Sequence, residues 1–172
     1  MDRAPFPMQD STKLLDKMER KIKMPSSSEE LLRYCQDVPD FTGVYPSDRL
    51  PDIKSGSFIV NYDPHNRPGS HWVAARITPH GEAQYFDSFG LPPDAGDLIL
   101  RESTNFTKYL LDRSKKLIYN RFPLQNIRDE VCGRYAVFFI RHGMTSHTNH
   151  AWDSILAKKT STARDMEVSR LV

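Results

Sequence analysis

The sequence predicts an α+β fold in which one central, buried helix packs on a mixed or antiparallel sheet. Residues 131–142 are apolar on nearly every side, and a helix with that pattern has to be buried. Residues 71–78 and 83–89 show the two-residue alternation of strands. Turn residues at 78–81 join these two segments, so we expect them to pair as an antiparallel hairpin.

The first part of the chain carries signals for two helices and further extended segments. Apolar residues recur at helical spacing within 10–23 and predict a first helix there. Ser27 and Glu30 resemble a capping box at the start of a second helix, over residues 28–37. The other elements predicted before the hairpin are an extended segment at 41–46 and a strand near 57–62.

After the hairpin, the pattern predicts a helical region, another strand and the buried helix. The helical region covers parts of 94–114, and the strand lies at 117–122. Gly143 can end the buried helix, and residues 151–156 can form a short one. The inward-facing residues of the helical region are expected to be Leu98, Phe106, Tyr109 and Leu110.

The length of the chain, 172 residues, fits a single domain with a sizeable core. Residues 1–27 are expected to form a helical extension that ends in a linker. The body of the domain is expected to span residues 28–158. The last residues, 159–172, are polar and predict a flexible tail.

The composition excludes several classes of protein. With 24 basic and 22 acidic residues the formal net charge is +2, so the chain as a whole has no basic, polymer-binding character. Two cysteines provide no disulfide framework and favour a reducing compartment. The longest apolar stretch, 135–140, is far shorter than the ~20 residues that span a bilayer. We therefore expect a soluble monomer without membrane association.

Three residues, in the order His71, Asp87 and Cys132, form the set that a cysteine protease needs. A thiol is mostly protonated at neutral pH, so nucleophilic catalysis requires the sulfur beside an imidazole and at the positive end of a helix. Cys132 begins the buried helix. His71 and Asp87 lie on the two strands of the hairpin, about 5 Å apart, which lets the carboxylate orient the imidazole.

Gln125 lies seven positions before Cys132. A side-chain amide just upstream of the nucleophile can donate a hydrogen bond to an oxyanion, as can backbone N–H groups at the start of the helix. A buried helix with the nucleophile at its N-terminus, packed on a sheet that carries the histidine and the acid, is the papain-like arrangement with a permuted chain order.

Four blocks around these residues resemble one known family. They are Pro68–Trp72, Tyr85–Gly90, Gln125 and Val131–Gly133. Together they resemble the active-site blocks of the adenovirus-type cysteine proteases, the adenain group, which has relatives in adenovirus-like viruses and virus-like transposons. Phe41–Pro46 and Asp48–Pro51 also resemble the segment that precedes the histidine in that group. The resemblance runs from about residue 28 to about residue 143.

The resemblance implies a role for each of the four residues. Cys132 would be the nucleophile and His71 the general base. Asp87 would be the partner of the histidine and Gln125 the oxyanion donor. The resemblance also implies a viral maturation endopeptidase that cleaves capsid and core precursor polypeptides at Gly-containing sites, without a cofactor for the chemistry itself. Its expected location is the virion and the host nucleus, with the host cytoplasm as the alternative.

Two features depart from the pattern of the adenain group. Many members carry Glu at the position of Asp87, and Asp there also resembles the related ubiquitin-like-specific proteases. In the best-known adenoviral enzymes, a peptide cofactor is tethered through a cysteine between the acid and the glutamine. This chain has only Cys35 and Cys132, and none in 88–131, which excludes a disulfide-tethered activator there. A non-covalent peptide activator stays open.

Two runs of basic residues predict contact with a polyanion. Residues 108–128 contain six Lys or Arg residues against one acid, and residues 13–23 contain five against two. Enzymes of the adenain group use viral DNA as a cofactor, so we expect Lys115 and Lys116 to contact DNA of any sequence. A solvated helix face is the alternative for either run taken alone.

The same residues leave other functions open. A protease that removes ubiquitin-like modifiers would use the same four residues but would need a surface for a folded modifier. A virion component that keeps the fold as a binding module without cleaving is a third alternative, and the intact set of four argues against it. A metal site built from Cys132 and the histidines of 142–150 matches no standard zinc spacing, and zinc would make the nucleophile inert.

Overall fold

A five-stranded mixed sheet forms the centre of the fold. A computed structural model gives the structure of residues 25–95, 105–144 and 150–172. The strands lie in chain order across the sheet, with the two outer pairs parallel and the two inner pairs antiparallel. Their bounds are β1 Phe41–Pro46, β2 Gly56–Asn61, β3 Trp72–Ile77, β4 Glu82–Phe86 and β5 Lys116–Tyr119.

Helices cover both faces of the sheet, and the most buried of them carries the cysteine that the sequence singles out. Their bounds are α1 Ser28–Cys35, α2 Phe106–Asp112, α3 Cys132–His142, α4 Asp153–Leu156, preceded by a 3₁₀ turn at His150–Trp152, and α5 Ser161–Leu171. The predicted α+β, papain-like arrangement of a buried helix on a mixed sheet is confirmed. In the three described ranges, no helix is both long enough and apolar enough to cross a bilayer.

The sheet separates two apolar cores. Ile59 and Ala74 point toward α3, where they pack with Phe139 in one cluster. Their strand neighbours, such as Phe58, point to the other face and pack against Phe106 of α2. Because successive side chains of a strand point to opposite faces, continuous burial of both faces requires apolar residues at nearly every strand position. Each fully buried large side chain contributes roughly 1.5–3 kcal/mol.

Helix α1 begins where the capping box predicts. The Ser27 hydroxyl accepts a hydrogen bond from the backbone N–H of Glu30 at 3.2 Å. The helix ends at Cys35, two residues before the predicted limit. Arg141 of α3 then donates to the Tyr34 carbonyl and, at 2.6 Å, to Asp37. These contacts hold α1 against α3.

The four predicted strands from 57 to 122 are present, but two of them end early. Strand β4 ends at Phe86 because Asp87 begins a turn that Gly90 closes, with a 2.9 Å bond from its N–H to the Asp87 carbonyl. Gly90 has φ +70°, and a Cβ there would lie 2.5 Å from the backbone of Phe122. Strand β5 ends at Tyr119 because the side chain of the next residue, Asn120, bonds to the Asp87 carbonyl in the same turn.

The prediction of a flexible tail at 159–172 is wrong. Residues 161–171 form α5, and the Thr160 hydroxyl caps the helix by accepting from Ala163 N–H at 3.2 Å. Asp165 and Val168 on this helix are fully buried. The sequence concealed the helix because its buried face carries charged and polar residues instead of an apolar stripe.

Some predictions concern residues outside the described ranges. They are the helix at 10–23 with its basic run, most of the extension at 1–27, Leu98 in the predicted helical region, and His147. Within the region that the structure describes, the second half of the helical region is present as α2, with Phe106 and Leu110 buried as predicted.

Candidate active site

His71 and Asp87 meet at one end of the sheet. Strands β3 and β4 pair antiparallel with Ala74 opposite Phe86, so the start of β3 lies beside the end of β4. His71 directly precedes β3 and Asp87 directly follows β4. The His71 Nε2 atom lies 3.0 Å from Asp87 Oδ1. The hairpin read from the sequence thus brings the two side chains into hydrogen-bonding distance.

The Asp87 carboxyl is fully buried and surrounded by donors. Its Oδ1 also accepts from Phe89 N–H at 2.7 Å, and its Oδ2 lies 3.4 Å from the Tyr62 hydroxyl and 3.5 Å from the Tyr85 hydroxyl. The two tyrosine hydroxyls also bond to each other. Burial, and to a smaller extent the interactions with Tyr62 and Asp87, raise the pKa of the Tyr85 hydroxyl well above its usual value. The Tyr85 hydroxyl therefore stays protonated and can donate a hydrogen bond within this buried group of side chains.

Asn120, at the end of β5, fixes the backbone of Asp87. Its Oδ1 accepts from Asp87 N–H at 3.0 Å, and its Nδ2 donates to the Asp87 carbonyl at 2.6 Å. The side chain is almost completely buried. Sequence reasoning missed this residue, although a polar side chain at the end of an apolar strand was a usable signal.

Cys132 is the first residue of α3 and lines the same cleft as His71. The two side chains are close enough for Cys132 to raise the pKa of the His71 imidazole. Because His71 Nε2 is engaged with Asp87, its Nδ1 atom is the one left to share a proton with the sulfur. The partial positive charge at the N-terminus of an eleven-residue helix attracts a negatively charged sulfur.

His71 holds its proton at neutral pH. Burial lowers the pKa of the imidazole, but hydrogen bonds and charge interactions with Asp87 and Cys132 outweigh burial and raise the pKa to about 10. His71 is further held by stacking on Phe89, with ring centroids 5.0 Å apart. A protonated, oriented imidazole beside a cysteine sulfur stabilises a thiolate and can donate its proton to a leaving group.

Gln125 lies in the same cleft and is hydrogen-bonded to Ser88, the residue after Asp87. Its Oε1 accepts from the Ser88 hydroxyl at 2.7 Å, and its Nε2 donates to the Asp129 carbonyl. A carboxamide nitrogen has two hydrogens, so the second one is available to an oxyanion. The backbone N–H groups at the start of α3, which have no acceptor within the helix, supply further donors.

Residues 25–28, which the sequence suggested to be part of a linker, form one wall of the cleft. Trp72, the neighbour of the histidine, donates from Nε1 to the Ser26 carbonyl at 3.0 Å. Ser26 is 4% exposed and packs against Gly133, the neighbour of the cysteine. This segment thus connects β3, which directly follows His71, to α3, which begins at Cys132.

The cleft is open and has a volume of about 620 Å³, within the range of sites that bind ligands. His71, Gln125 and Cys132 all line it, with Asp87 behind the histidine. Its exposed charged side chains are Glu29 and Glu130. The cleft therefore combines a cysteine sulfur, an oriented imidazole and hydrogen-bond donors, which are groups that acyl transfer requires.

Lys115 and Lys116 lie at the other end of the sheet. Lys116 begins β5 opposite Glu82, the first residue of β4, whereas Asp87 follows the last residue of that strand. A strand of this length spans roughly 16 Å. The Lys116 Nζ atom pairs with Glu82 Oε2 at 3.2 Å. Lys115 and Lys116 therefore lie away from the cleft that holds His71, Gln125 and Cys132.

No family model and no curated protein matches the chain. Two crystal structures of the ASFV protease resemble it. One covers 67% of this chain and 43% of its own at 25% identity and a TM-score of 0.36. The other covers 95% of this chain and 79% of its own at 17% identity and a TM-score of 0.42.

ChlaDub1 from Chlamydia trachomatis covers 67% of this chain and 56% of its own, at 16% identity and a TM-score of 0.38. The chain thus spans less than half of the first ASFV structure and just over half of ChlaDub1. None of the three is an adenoviral enzyme, so the resemblance to the adenain group stays a prediction. At these TM-scores, the chemistry of the site has to follow from the geometry of this chain itself.

Proposed function

We propose that the chain is a cysteine peptidase with Cys132 as nucleophile, His71 as proton carrier and Asp87 as the residue that orients it. The observation that carries this proposal is that His71 lies 3.0 Å from Asp87 and lines one open cleft together with Cys132, which raises the pKa of the imidazole. The pKa of His71, raised to about 10, supports a protonated imidazole at neutral pH.

In the first half of the reaction, the sulfur of Cys132 forms a bond to the carbonyl carbon of the peptide. The carbonyl oxygen becomes an oxyanion, which accepts hydrogen bonds from the start of α3 and from the Gln125 amide. The C–N bond then breaks, and the His71 imidazolium transfers its proton to the leaving amine. The products of this half are the free amine and a thioester on Cys132.

In the second half, water attacks the thioester carbonyl. Neutral His71 takes a proton from the water as the new C–O bond forms. The C–S bond breaks, the carboxylic acid leaves, and the sulfur departs as a thiolate beside the reprotonated imidazole. Asp87 keeps Nε2 of His71 engaged throughout, so the same ring nitrogen faces the sulfur in both halves.

The substrates we propose are viral capsid and core precursor polypeptides, cleaved at Gly-containing sites in the virion and the host nucleus. Support comes from the sequence blocks at 68–72, 85–90 and 131–133 that resemble the adenain group. A small residue before the scissile bond also suits a cleft with a wall, residues 25–28, that packs directly on the nucleophile helix.

The second candidate is a protease that removes ubiquitin-like modifiers. Asp87 favours it, because Asp at this position resembles the ubiquitin-like-specific proteases more than the many adenain-group members with Glu. Both candidates use the same chemistry, so they differ only in what must dock outside the cleft. A folded modifier requires a complementary surface, whereas an extended precursor segment requires only the cleft.

The test offers two substrates side by side: a fluorogenic peptide with Gly before the scissile bond, and a ubiquitin-like protein fused through its C-terminal Gly to a reporter. A peptidase of either kind cleaves at least one, and Cys132→Ala abolishes that cleavage. Preference for the peptide supports the maturation enzyme, and preference for the fusion supports the second candidate. If neither is cleaved and Cys132 takes no thiol-directed label, the chain is a non-cleaving module and the proposal fails.

Activation by DNA is part of the maturation proposal, with Lys115 and Lys116 as contacts. If it is correct, DNA of any sequence raises the cleavage rate, and the effect falls steeply with salt because counterion release weakens each phosphate contact. Lys115→Glu combined with Lys116→Glu should weaken the DNA effect and leave the basal rate unchanged. A matched pair of reversals away from this run, at Lys158 and Lys159, serves as the control. A rate that DNA does not alter at low salt would refute this part.

A further inference from the structure

The C-terminal helix α5 holds the chain on both sides of Gln125. Arg164 Nε donates to the Leu124 carbonyl at 3.0 Å. The backbone N–H of Asn126 donates to Asp165 Oδ2 at 2.8 Å. The Asn126 side chain adds a third contact by donating to the Thr162 hydroxyl at 2.7 Å. Both neighbours of the expected oxyanion donor are thus anchored to one helix.

Asp165 also reaches the nucleophile helix. Its Oδ1 accepts from the Tyr135 hydroxyl at 2.8 Å, and Tyr135 lies one turn after Cys132 in α3. The Asp165 side chain is fully buried. One carboxyl group therefore links the backbone next to Gln125 to the helix that carries the sulfur.

We propose that Asp165 is a positioning residue that sets the distance between the Gln125 amide and Cys132. The proposal rests on the peptidase function proposed above and goes beyond it, because no part of the catalytic set requires the C-terminal helix. Ser88 and the Asp129 carbonyl orient the amide group itself. Ser88 lies outside α3 and Asp129 precedes it, whereas Asp165 bonds to a side chain of α3 itself.

The distance matters because oxyanion stabilisation is sensitive to geometry. Loss of one oxyanion donor typically costs about 10²–10³-fold in kcat. A displacement of about 1 Å at a reacting centre can cost about 10²-fold. Without its acceptor on Asp165, the half-buried Asn126 N–H would lose its partner, and the segment would shift to satisfy it. That shift moves the neighbouring Gln125.

The charges around Asp165 make its effect dependent on pH. Asp129 faces it from the segment 125–131, called here the Gln125 loop. Tyr135 faces it from α3 and Arg164 from its own helix. Burial and the nearby Asp129 raise the pKa of Asp165 to about 7, against the hydrogen bonds from Asn126 and Tyr135. Among the described residues no N–H or O–H donor pairs with Asp129 Oδ2.

A proton on Asp165 supplies the donor that Asp129 lacks. When that proton leaves, Asp165 can no longer donate to Asp129, and its negative charge is left beside a second carboxyl group. The connection between the Gln125 loop and α3 is therefore firmest with the proton in place. We expect the wild-type kcat to decline as the pH rises through about 7, well below the pH at which His71 would lose its proton.

The test compares Asp165→Asn, Asp165→Ala and a matched control, Glu167→Gln, which makes the same charge change on the same helix. Asn imitates protonated Asp, because its oxygen can accept from Asn126 and its NH₂ can donate to Asp129. Asp165→Asn should keep kcat and remove the decline above about pH 7. Asp165→Ala should lower kcat by about 10- to 100-fold with little change in KM. Glu167→Gln should behave as wild type.

Alkylation of Cys132 by iodoacetamide separates this proposal from the peptidase function. Alkylation requires the thiolate and His71 but no oxyanion site, so Asp165→Ala should alkylate at the wild-type rate while hydrolysis drops. If Asp165→Ala hydrolyses peptide as fast as wild type, the positioning role is refuted while the peptidase function stands. If wild type itself neither hydrolyses nor alkylates selectively, the peptidase function has failed.

Tyr135→Phe decides the question if Asp165→Ala does not fold. It removes only the link from Asp165 to α3 and preserves the shape of the buried ring. A reduced kcat with normal KM and normal alkylation supports the proposal. A kcat and pH profile equal to wild type, in a folded Tyr135→Phe protein, overturns it.

Discussion

Ser26 packs against Gly133 directly beside the nucleophile. A Cβ added to Gly133 would lie 2.9 Å from Ser26 Cβ and 3.0 Å from Leu31 Cδ2, so the neighbours would have to move. Ser26 cannot move freely, because its carbonyl accepts the Trp72 indole N–H at 3.0 Å. Ser26 thus connects the wall of the cleft to α3, through Gly133, and to β3, through Trp72.

This contact predicts that Gly133→Ala destabilises the protein. Gly to Ala in a helix normally stabilises by roughly 0.5–1 kcal/mol, but overpacking costs about 1–3 kcal/mol and should dominate. We expect a lower midpoint of urea denaturation and a reduced kcat, since Cys132 would shift with its neighbour. Adding Ser26→Gly should restore part of the stability by making room. A midpoint at or above the wild-type value would contradict the tight contact.

The two cysteines should differ sharply in reactivity. Burial, assisted by Asp37 and opposed by Arg141, raises the pKa of the Cys35 thiol to about 12, so almost no thiolate exists there at neutral pH. Cys132 lies at the surface of the cleft beside a protonated His71. Iodoacetamide at neutral pH should therefore label Cys132 alone, as read by mass spectrometry.

Three variants check this labelling prediction. Cys35→Ala should label at the wild-type rate, Cys132→Ala should take no label, and His71→Ala should slow the labelling of Cys132. Equal labelling of both cysteines in the folded wild-type protein would show that the sulfur of Cys132 has no special environment.

Asn120 should be required for the orientation of Asp87. Asn120→Ala removes both hydrogen bonds to the Asp87 backbone and leaves two buried polar groups unpaired, at a cost of about 1–3 kcal/mol each. We expect reduced stability, a lower kcat and slower alkylation of Cys132, because His71 loses a fixed partner. Asn66→Ala, at an exposed asparagine, is the control. Unchanged kcat in Asn120→Ala would mean that the turn holds Asp87 without it.

The contact between His71 and Asp87 and the burial of α3 could be predicted because each depends on a local pattern. His71 and Asp87 lie on two strands joined by a short turn, and pairing of such strands follows from their alternation. Cys132 begins a run that is apolar all round, so its burial follows from composition alone. These features needed no knowledge of contacts between distant segments.

The supporting residues could not be predicted because they act across long separations. Asn120 binds a turn 33 positions earlier, and Asp165 binds a backbone group 39 positions earlier. Helix α5 was missed because its buried side chains include Asp165 and Ser169, which pattern rules assign to the surface. Buried polar residues show their purpose only when their partners are known.

The buried pair formed by Asp165 and Asp129 also predicts how stability changes with pH. The pKa of Asp165 is raised in the folded state, from an ordinary value near 3.8 to about 7, so the folded protein holds this proton more tightly than the unfolded chain. The free energy of unfolding attributable to this group is then greatest below about pH 4. It falls as the pH rises toward about 7 and is level above that.

Urea denaturation across this pH range measures the effect directly. Other carboxylates contribute to the same curve, so the informative quantity is the difference between wild type and Asp165→Asn. Because Asn carries no titratable proton, that difference should shift in favour of the variant as the pH rises from about 4 to about 7, and stay constant above. Glu167→Gln should not show this shift, since the pKa of Glu167 is lowered by its hydrogen bond with Arg170. A difference between wild type and Asp165→Asn that is independent of pH would mean that Asp165 is ionised in the folded protein throughout, and that Asp129 finds its donor elsewhere.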